Sequence, residues 1–191
     1  MVHPKLPKLY GLASSLLLLG AVAFFLSGPA GAEIERFAQP SDHGLRLYWW
    51  PKVAPPEGCH HDDEESVHYA FNAFAPDRQT FVNADTVFYA KAAYKPRMPE
   101  VKSLGQFMIN DRGDFLQNAP SVNTEEAAQL RTEAGLVFQS VTFFPQKEGN
   151  WERVSYADEG DFYLTFVISA RSRKAYEAWE KTYVAWVRSY R

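Results

Sequence analysis

Residues 136–170 hold the stretch on which the fold turns: LVFQSVTFFP (136–145), then WERVSYA (151–157), then DFYLTFVISA (161–170). Each run is rich in aromatic and β-branched residues. Each is separated from the next by a short turn-type connector, QKEGN or DEG, of a length that favours antiparallel neighbours. The spacing predicts a three-strand meander. Directly after it, SRKAYEAWEKTYVAWVRSYR opens on Ser172 as an N-cap, and Tyr176, Trp179, Tyr183, Trp186 or Val187, and Tyr190 recur at helical spacing. A helix with one aromatic face must bury that face, and the meander is the nearest sheet.

Working back towards the N-terminus, LRLYWWP (45–51) reads as a first strand stopped by proline, preceded by a polar lead over 33–44. The segment KVAPPEGCHHDDEE (52–65) reads as a loop, marked by Pro55, Pro56 and Gly58. SVHYAFNAFAP (66–76) and TVFYAKAAYK (86–95) alternate as strands do. Ser103 with Gln106 forms a capping-box pattern at the start of SLGQFMINDRGDFLQ (103–117), in which Leu104, Phe107, Met108, Asp111 and Phe115 fall near one helical stripe. SVNTEEAAQLRTEAG (121–135) is ambiguous: its composition suggests a helix and its place before Gly135 a strand. The chain therefore reads as one α+β domain, an antiparallel sheet flanked by helices.

This order, with FYAKAAYK and SLGQFMINDRGDF leading into the meander and KAYEAWEKTYVAWVRSY closing the chain, resembles the superfamily of the photosystem II extrinsic protein PsbP and the Mog nuclear-import factor. It looks most like that group's small secreted bacterial relatives. The match spans roughly residues 66–191. The resemblance implies an α/β/α sandwich built on a twisted antiparallel sheet, and accessory or partner-binding roles. It carries over no functional residue.

The N-terminus predicts a destination. Lys5 and Lys8 precede the apolar run LASSLLLLGAVAFFL (12–26), and SGPAGA ends on the small-residue pattern Ala30-Gly31-Ala32. That is the layout of a secretory signal peptide over residues 1–32, cleaved before Glu33. The apolar run is shorter than the roughly 20 residues a spanning helix needs, so no permanent anchor is expected. The mature protein, 33–191, is expected to be one exported, periplasmic or extracellular globular domain whose first part, 33–65, is the strand and polar loop. Removing Lys5 and Lys8 takes the formal charge from −3 to −5. A modestly acidic chain has no electrostatic reason to hold nucleic acid. Its single cysteine rules out an internal disulfide, so packing must hold it together.

Chemistry concentrates in GCHHDDEES (58–66). Cys59, His60, His61 and Asp62 to Glu65 are ligand types that suit zinc or another divalent ion, with His60, His61 and Asp63 as the ligands. Adjacent histidines diverge on a helix or a strand, so both could ligate only from an irregular loop. Were residues 60–68 helical, His61, Glu65 and His68 would share a face. Set against the metal centre is a solvated acidic loop. Four carboxylates beside Cys59 disfavour its thiolate and a nucleophilic role. No G-x-S-x-G elbow, no G-x-G core and no G-K-[ST] occurs. On strand 45–51, Trp49 and Trp50 point to opposite faces, and one of them left uncovered beside the 52–65 loop would make a binding spot.

The functional expectation is a non-catalytic binding or accessory module without a cofactor. It would engage an unknown protein or small ligand along a surface of Trp49, Trp50, Cys59 and His68. The alternative is a metal-binding protein or metal-dependent enzyme using the Cys59-His60-His61-Asp62 cluster. A hydrolase with unrecognised acidic catalysts comes third.

Overall fold

In the computed structural model the described residues are 34–41, 44–147 and 149–191. The expected leader, residues 1–32, lies outside them. Within them the chain forms a nine-stranded sheet in the order β1-β2-β5-β9-β8-β7-β6, with β3 and β4 hanging from one side of β5.

The meander is present as read: β7 (Val137–Pro145), β8 (Trp151–Glu159) and β9 (Phe162–Ala170) pair antiparallel in sequence order. β5 (Thr86–Tyr94) pairs along its full length with β9, from Thr86↔Ala170 to Tyr94↔Phe162. Strands buried on both faces result, because a helix covers each side. On one side lies α3 (Arg173–Ser189), its first turn capped by the Ser172 hydroxyl, which accepts from the Ala175 amide. Its aromatic stripe is buried as predicted: Tyr176, Tyr183, Trp186, Val187 and Tyr190 pack on Phe88, Phe138, Leu164, Phe166 and Ile168. Full burial of a side chain of this size contributes on the order of 1.5–3 kcal/mol. Tyr183 also places its hydroxyl, donating to Phe166 O at 2.8 Å and within 2.6 Å of Ser155 Oγ, in the middle of that layer.

On the other side lies α2 (Leu104–Asn118), capped by the Ser103 hydroxyl as the capping-box pattern predicts. Phe107 stacks on Tyr163 (4.9 Å between centroids) and Phe115 meets Phe143 (4.5 Å). The architecture is thus α+β, an antiparallel sheet between two helical layers.

Three readings change. The polar lead holds a strand, β1 (Ile34–Ser41), paired with β2 (Gly44–Pro51) from Ile34↔Pro51 to Ser41↔Gly44; pairing across a hairpin compensates a weak apolar pattern. The loop 52–65 contains a short strand, β3 (Cys59–His61), set against β4 (Asn72–Pro76). The strand expected over 66–76 is instead the helix α1 (Asp63–Tyr69) followed by β4. Asp62 caps that helix by accepting from the Glu65 amide, and Asp63, Glu64 and Glu65 sit in its first turn, where the exposed N–H groups favour negative charge. Ala70 ends it with a left-handed backbone (φ 58°). The ambiguous 121–135 segment resolves as the edge strand β6 (Val122–Arg131), with a register shift between Ala127 and Leu130. Among the described residues no helix is long and apolar enough to cross a membrane.

Candidate ligand cleft over Tyr89

The GCHHDDEES stretch folds into a local lock. His60 and His61 are successive residues of β3, so their rings diverge. His60 Nδ1 stands 4.0 Å from Asp77, while His61 turns back towards α1. There His61 Nδ1 lies 2.5 Å from Asp63 Oδ1, and Nε2 lies 3.0 Å from Ser66 Oγ and 3.3 Å from Asn72 Oδ1. Both ring nitrogens have protein partners. The helical arrangement of His61, Glu65 and His68 does not form, since α1 begins at Asp63. Among the described residues no group of three or more His, Cys, Asp and Glu side chains is placed to hold a metal ion.

Ser66, His61 and Asp63 follow one another as a nucleophile, base and orienting acid would. The serine, however, is 1% exposed, donates its proton to Asp62 O (2.7 Å) and accepts from the Ala73 amide (2.8 Å). No substrate carbonyl can reach it. Its role is to tie α1 to β4. Cys59 is half-buried against the α3 side of the core, and its thiol is pushed up to about 12 by burial and, secondarily, by the Asp77 carboxylate. A thiol so held is a weak nucleophile at neutral pH.

Both tryptophans of β2 are covered. Trp50 stacks under Phe37 (5.1 Å). Trp49 packs against Tyr94 (5.0 Å), with the Arg97 guanidinium 4.5 Å from its ring. His68 is exposed on α1, edge-on to Tyr69 (4.6 Å). Trp49 and Cys59 are both partly buried against the α3-side core, Trp50 is buried, and His68 is exposed.

A site does form elsewhere, on the sheet face that α2 crosses. Alternation puts Val87, Tyr89 and Lys91 of β5, Thr165, Val167 and Ser169 of β9, and Glu152, Val154 and Tyr156 of β8 on this face. The register sets Lys91 beside Thr165, Tyr89 beside Val167, and Glu152 beside Ser169. Phe107 and Phe115 of the helix cover Tyr156, Tyr163 and Phe143, whereas Val87, Tyr89 and Lys91 of β5 are only partly buried. Two adjoining clefts remain, of about 360 and 260 Å³, and Tyr89 lines both.

The larger cleft has an aromatic wall. Phe71 stacks on Tyr89 (4.5 Å), Tyr69 lies parallel to Phe71 (5.4 Å, 4°), and Phe81 leans on both Phe71 (5.7 Å) and Tyr89 (6.3 Å). Tyr69 is 47% exposed at its rim. The smaller cleft sets a few polar groups among the apolar side chains of Phe115, Phe143, Val154 and Val167. Asp111 of α2 accepts from the Tyr156 hydroxyl (2.7 Å) and pairs with Lys91 (3.4 Å). At its floor Glu152, 8% exposed, accepts from Ser169 Oγ (2.6 Å).

Burial raises the Glu152 carboxyl above its ordinary range; hydrogen bonds from Ser169 and Asn150 counter this in part, and Asp111 adds repulsion. Burial likewise lifts the Tyr89 phenol well above its usual value, aided by Glu152 and Asp111. Thr165 Oγ1, on a side chain 1% exposed, has no hydrogen-bond partner among the described residues. A buried polar atom without a partner costs about 1–3 kcal/mol, so this floor has hydrogen-bonding capacity left for a guest.

The sequence reading missed this site. Two signals for it were present: Asp111 inside the apolar stripe of α2, and Glu152 inside a strand otherwise destined for burial on both faces.

No family model matches the chain, and no curated protein matches it. Among solved structures, the chain is similar to the solution structure of cyanobacterial PsbP (CyanoP) from Synechocystis sp. PCC 6803, at 13% sequence identity and a TM-score of 0.47, over 85% of this chain and 98% of that one. The architecture described here rests on strand register and helical layers, and no residue role passes from that protein to this one.

Proposed function

We propose that the protein is an exported, non-catalytic accessory module that binds a small organic ligand in the cleft over Tyr89. The observation that carries this reading is the pair of clefts on the α2-side face, where Thr165 and Glu152 sit buried at the floor with an aromatic wall beside them. A concave site with apolar walls and a few convergent polar groups is the ordinary form of a small-molecule site. Export is supported by the leader-like residues 1–32. A non-catalytic role is supported by the state of the reactive side chains: the Cys59 thiol is held protonated, and the Ser66 hydroxyl is enclosed.

The test is a panel of small organic molecules of all charge classes, read by thermal shift. Compounds that raise Tm should lose their effect in an Ala119→Trp, Val82→Trp double variant, which narrows both mouths from half-buried and exposed lip positions. Compounds that shift Tm equally in the variant would refute the cleft as the site. Intact mass of the protein from the producing cell tests export, since the mature chain should begin at Glu33.

A further inference from the structure

The charges around the cleft are unbalanced. Asp85, Asp111, Asp114 and Glu152 line its two parts, against Lys91 and Arg171. Among the described residues neither cation pairs with Glu152: Lys91 pairs with Asp111 (3.4 Å), and Arg171 Nη2 donates to Val82 O (2.6 Å). Glu152 itself, more than nine-tenths buried, is hydrogen-bonded among the described residues to the neutral Ser169 and Asn150. A buried carboxylate without a counter-charge is costly, and the fold leaves open space beside this one. The second independent feature is Thr165 Oγ1, deeply buried at the same floor and without a partner among the described residues. A third is the adjoining wall of Tyr89, Phe71 and Phe81, whose ring faces attract positive charge as well as apolar groups.

Resting on the reading of the cleft as a binding site, we infer that its ligand is a small organic cation, an amine or quaternary ammonium carrying an apolar ring or chain, with its charge against Glu152 and its apolar part against the Tyr89 wall. An anion would meet an excess of carboxylates over cations. A neutral guest would leave Glu152 without a counter-charge. Volumes of about 260 and 360 Å³ suit a small molecule rather than a polymer. Where the guest carries an N–H or O–H donor, the oxygen of Thr165 is its natural partner.

The test is calorimetric titration of the full-length protein at neutral pH with three probes that share a benzyl or phenyl group: benzyltrimethylammonium, benzyl alcohol and benzoate. The cation should bind, and the neutral and anionic probes should bind at least tenfold more weakly, the scale set by a charge-matched contact in a desolvated site. Glu152→Gln should weaken the cation by roughly tenfold on the same grounds. Should that variant not fold, Asp114→Asn, at an exposed lip position, should weaken it by about two- to threefold, as expected of a partly screened charge.

Benzyl alcohol or benzoate binding as well as the cation would overturn the charge class while leaving the cleft a binding site. Unchanged affinity in the folded variants would overturn the role of the carboxylates. No heat from any probe at millimolar concentration would also overturn the inference, and the thermal-shift panel with the lip variant would then judge the cleft separately.

Discussion

Cys59 offers the most quantitative check on the structure around β3. Its thiol moves from an ordinary 9.0 to about 12 because it leaves water for the edge of the α3-side core and because Asp77 repels the thiolate. At pH 7.5, three logarithmic units of pKa reduce the thiolate fraction by about 1,000-fold, while the greater basicity of the remaining thiolate returns a factor of roughly 20 in nucleophilicity, leaving a net slowing of about 50-fold. The assay is the pseudo-first-order reaction with a coloured disulfide reagent at pH 7.5, native protein against protein unfolded in guanidinium. Asp77→Asn should recover a small part of the difference, since repulsion is the lesser cause. A native rate within threefold of the unfolded rate would refute the placement of Cys59, and with it the seating of β3 against the core.

Ser66→Ala removes the hydroxyl that joins Asp62 O, the Ala73 amide and His61, and should cost about 1–3 kcal/mol by chemical denaturation; a loss near zero would mean that α1 is not tied to β4 in this way. Trp50→Ala removes an indole stacked on Phe37 and should cost about 3–5 kcal/mol while leaving cleft ligands unaffected, so a loss of binding without a loss of stability would return the functional surface to β2. Glu152→Gln carries a pH signature. The folded carboxyl has a raised pKa, so as pH climbs from about 4.5 the unfolded chain releases its proton first, the native state holds more protons, and stability falls through that window. Denaturation at pH 4.5 and 7 should therefore show the variant gaining on the wild type as pH rises, and the opposite trend would contradict the burial of Glu152.

Where hydrophobic period and turn chemistry agreed, the fold was readable from residues alone. The connectors QKEGN and DEG predicted the β7-β8-β9 meander, Ser172 and Ser103 predicted two helix starts, and the aromatic spacing of α3 predicted its buried face. The errors lie where local patterns compete. Val67, Tyr69, Phe71 and Ala73 alternate like a strand straight through the α1–β4 junction, whereas the deciding features were the Asp62 cap and the carboxylates of the first turn. Taken as helix-start chemistry, DDEE signals α1; taken as a solvated acidic loop or as metal ligands, it hides that helix. β1 and β6 are sheet edges with an exposed face, so each looks polar until its pairing partner is known. The cleft was illegible for a topological reason. It combines residues of α1, β5, α2, β8 and β9, brought together only when β5 takes its place beside β9.

The most direct measurement of the central claim is a two-dimensional amide NMR titration with benzyltrimethylammonium. The account predicts shift changes that concentrate on Tyr89, Lys91, Thr165 and Ser169, with α3 and a third groove, lined by Met108, Ile109, Arg112, Glu126 and Val141, unaffected. Changes centred on that groove, or along Trp49 to His61, would place the binding surface elsewhere and contradict it.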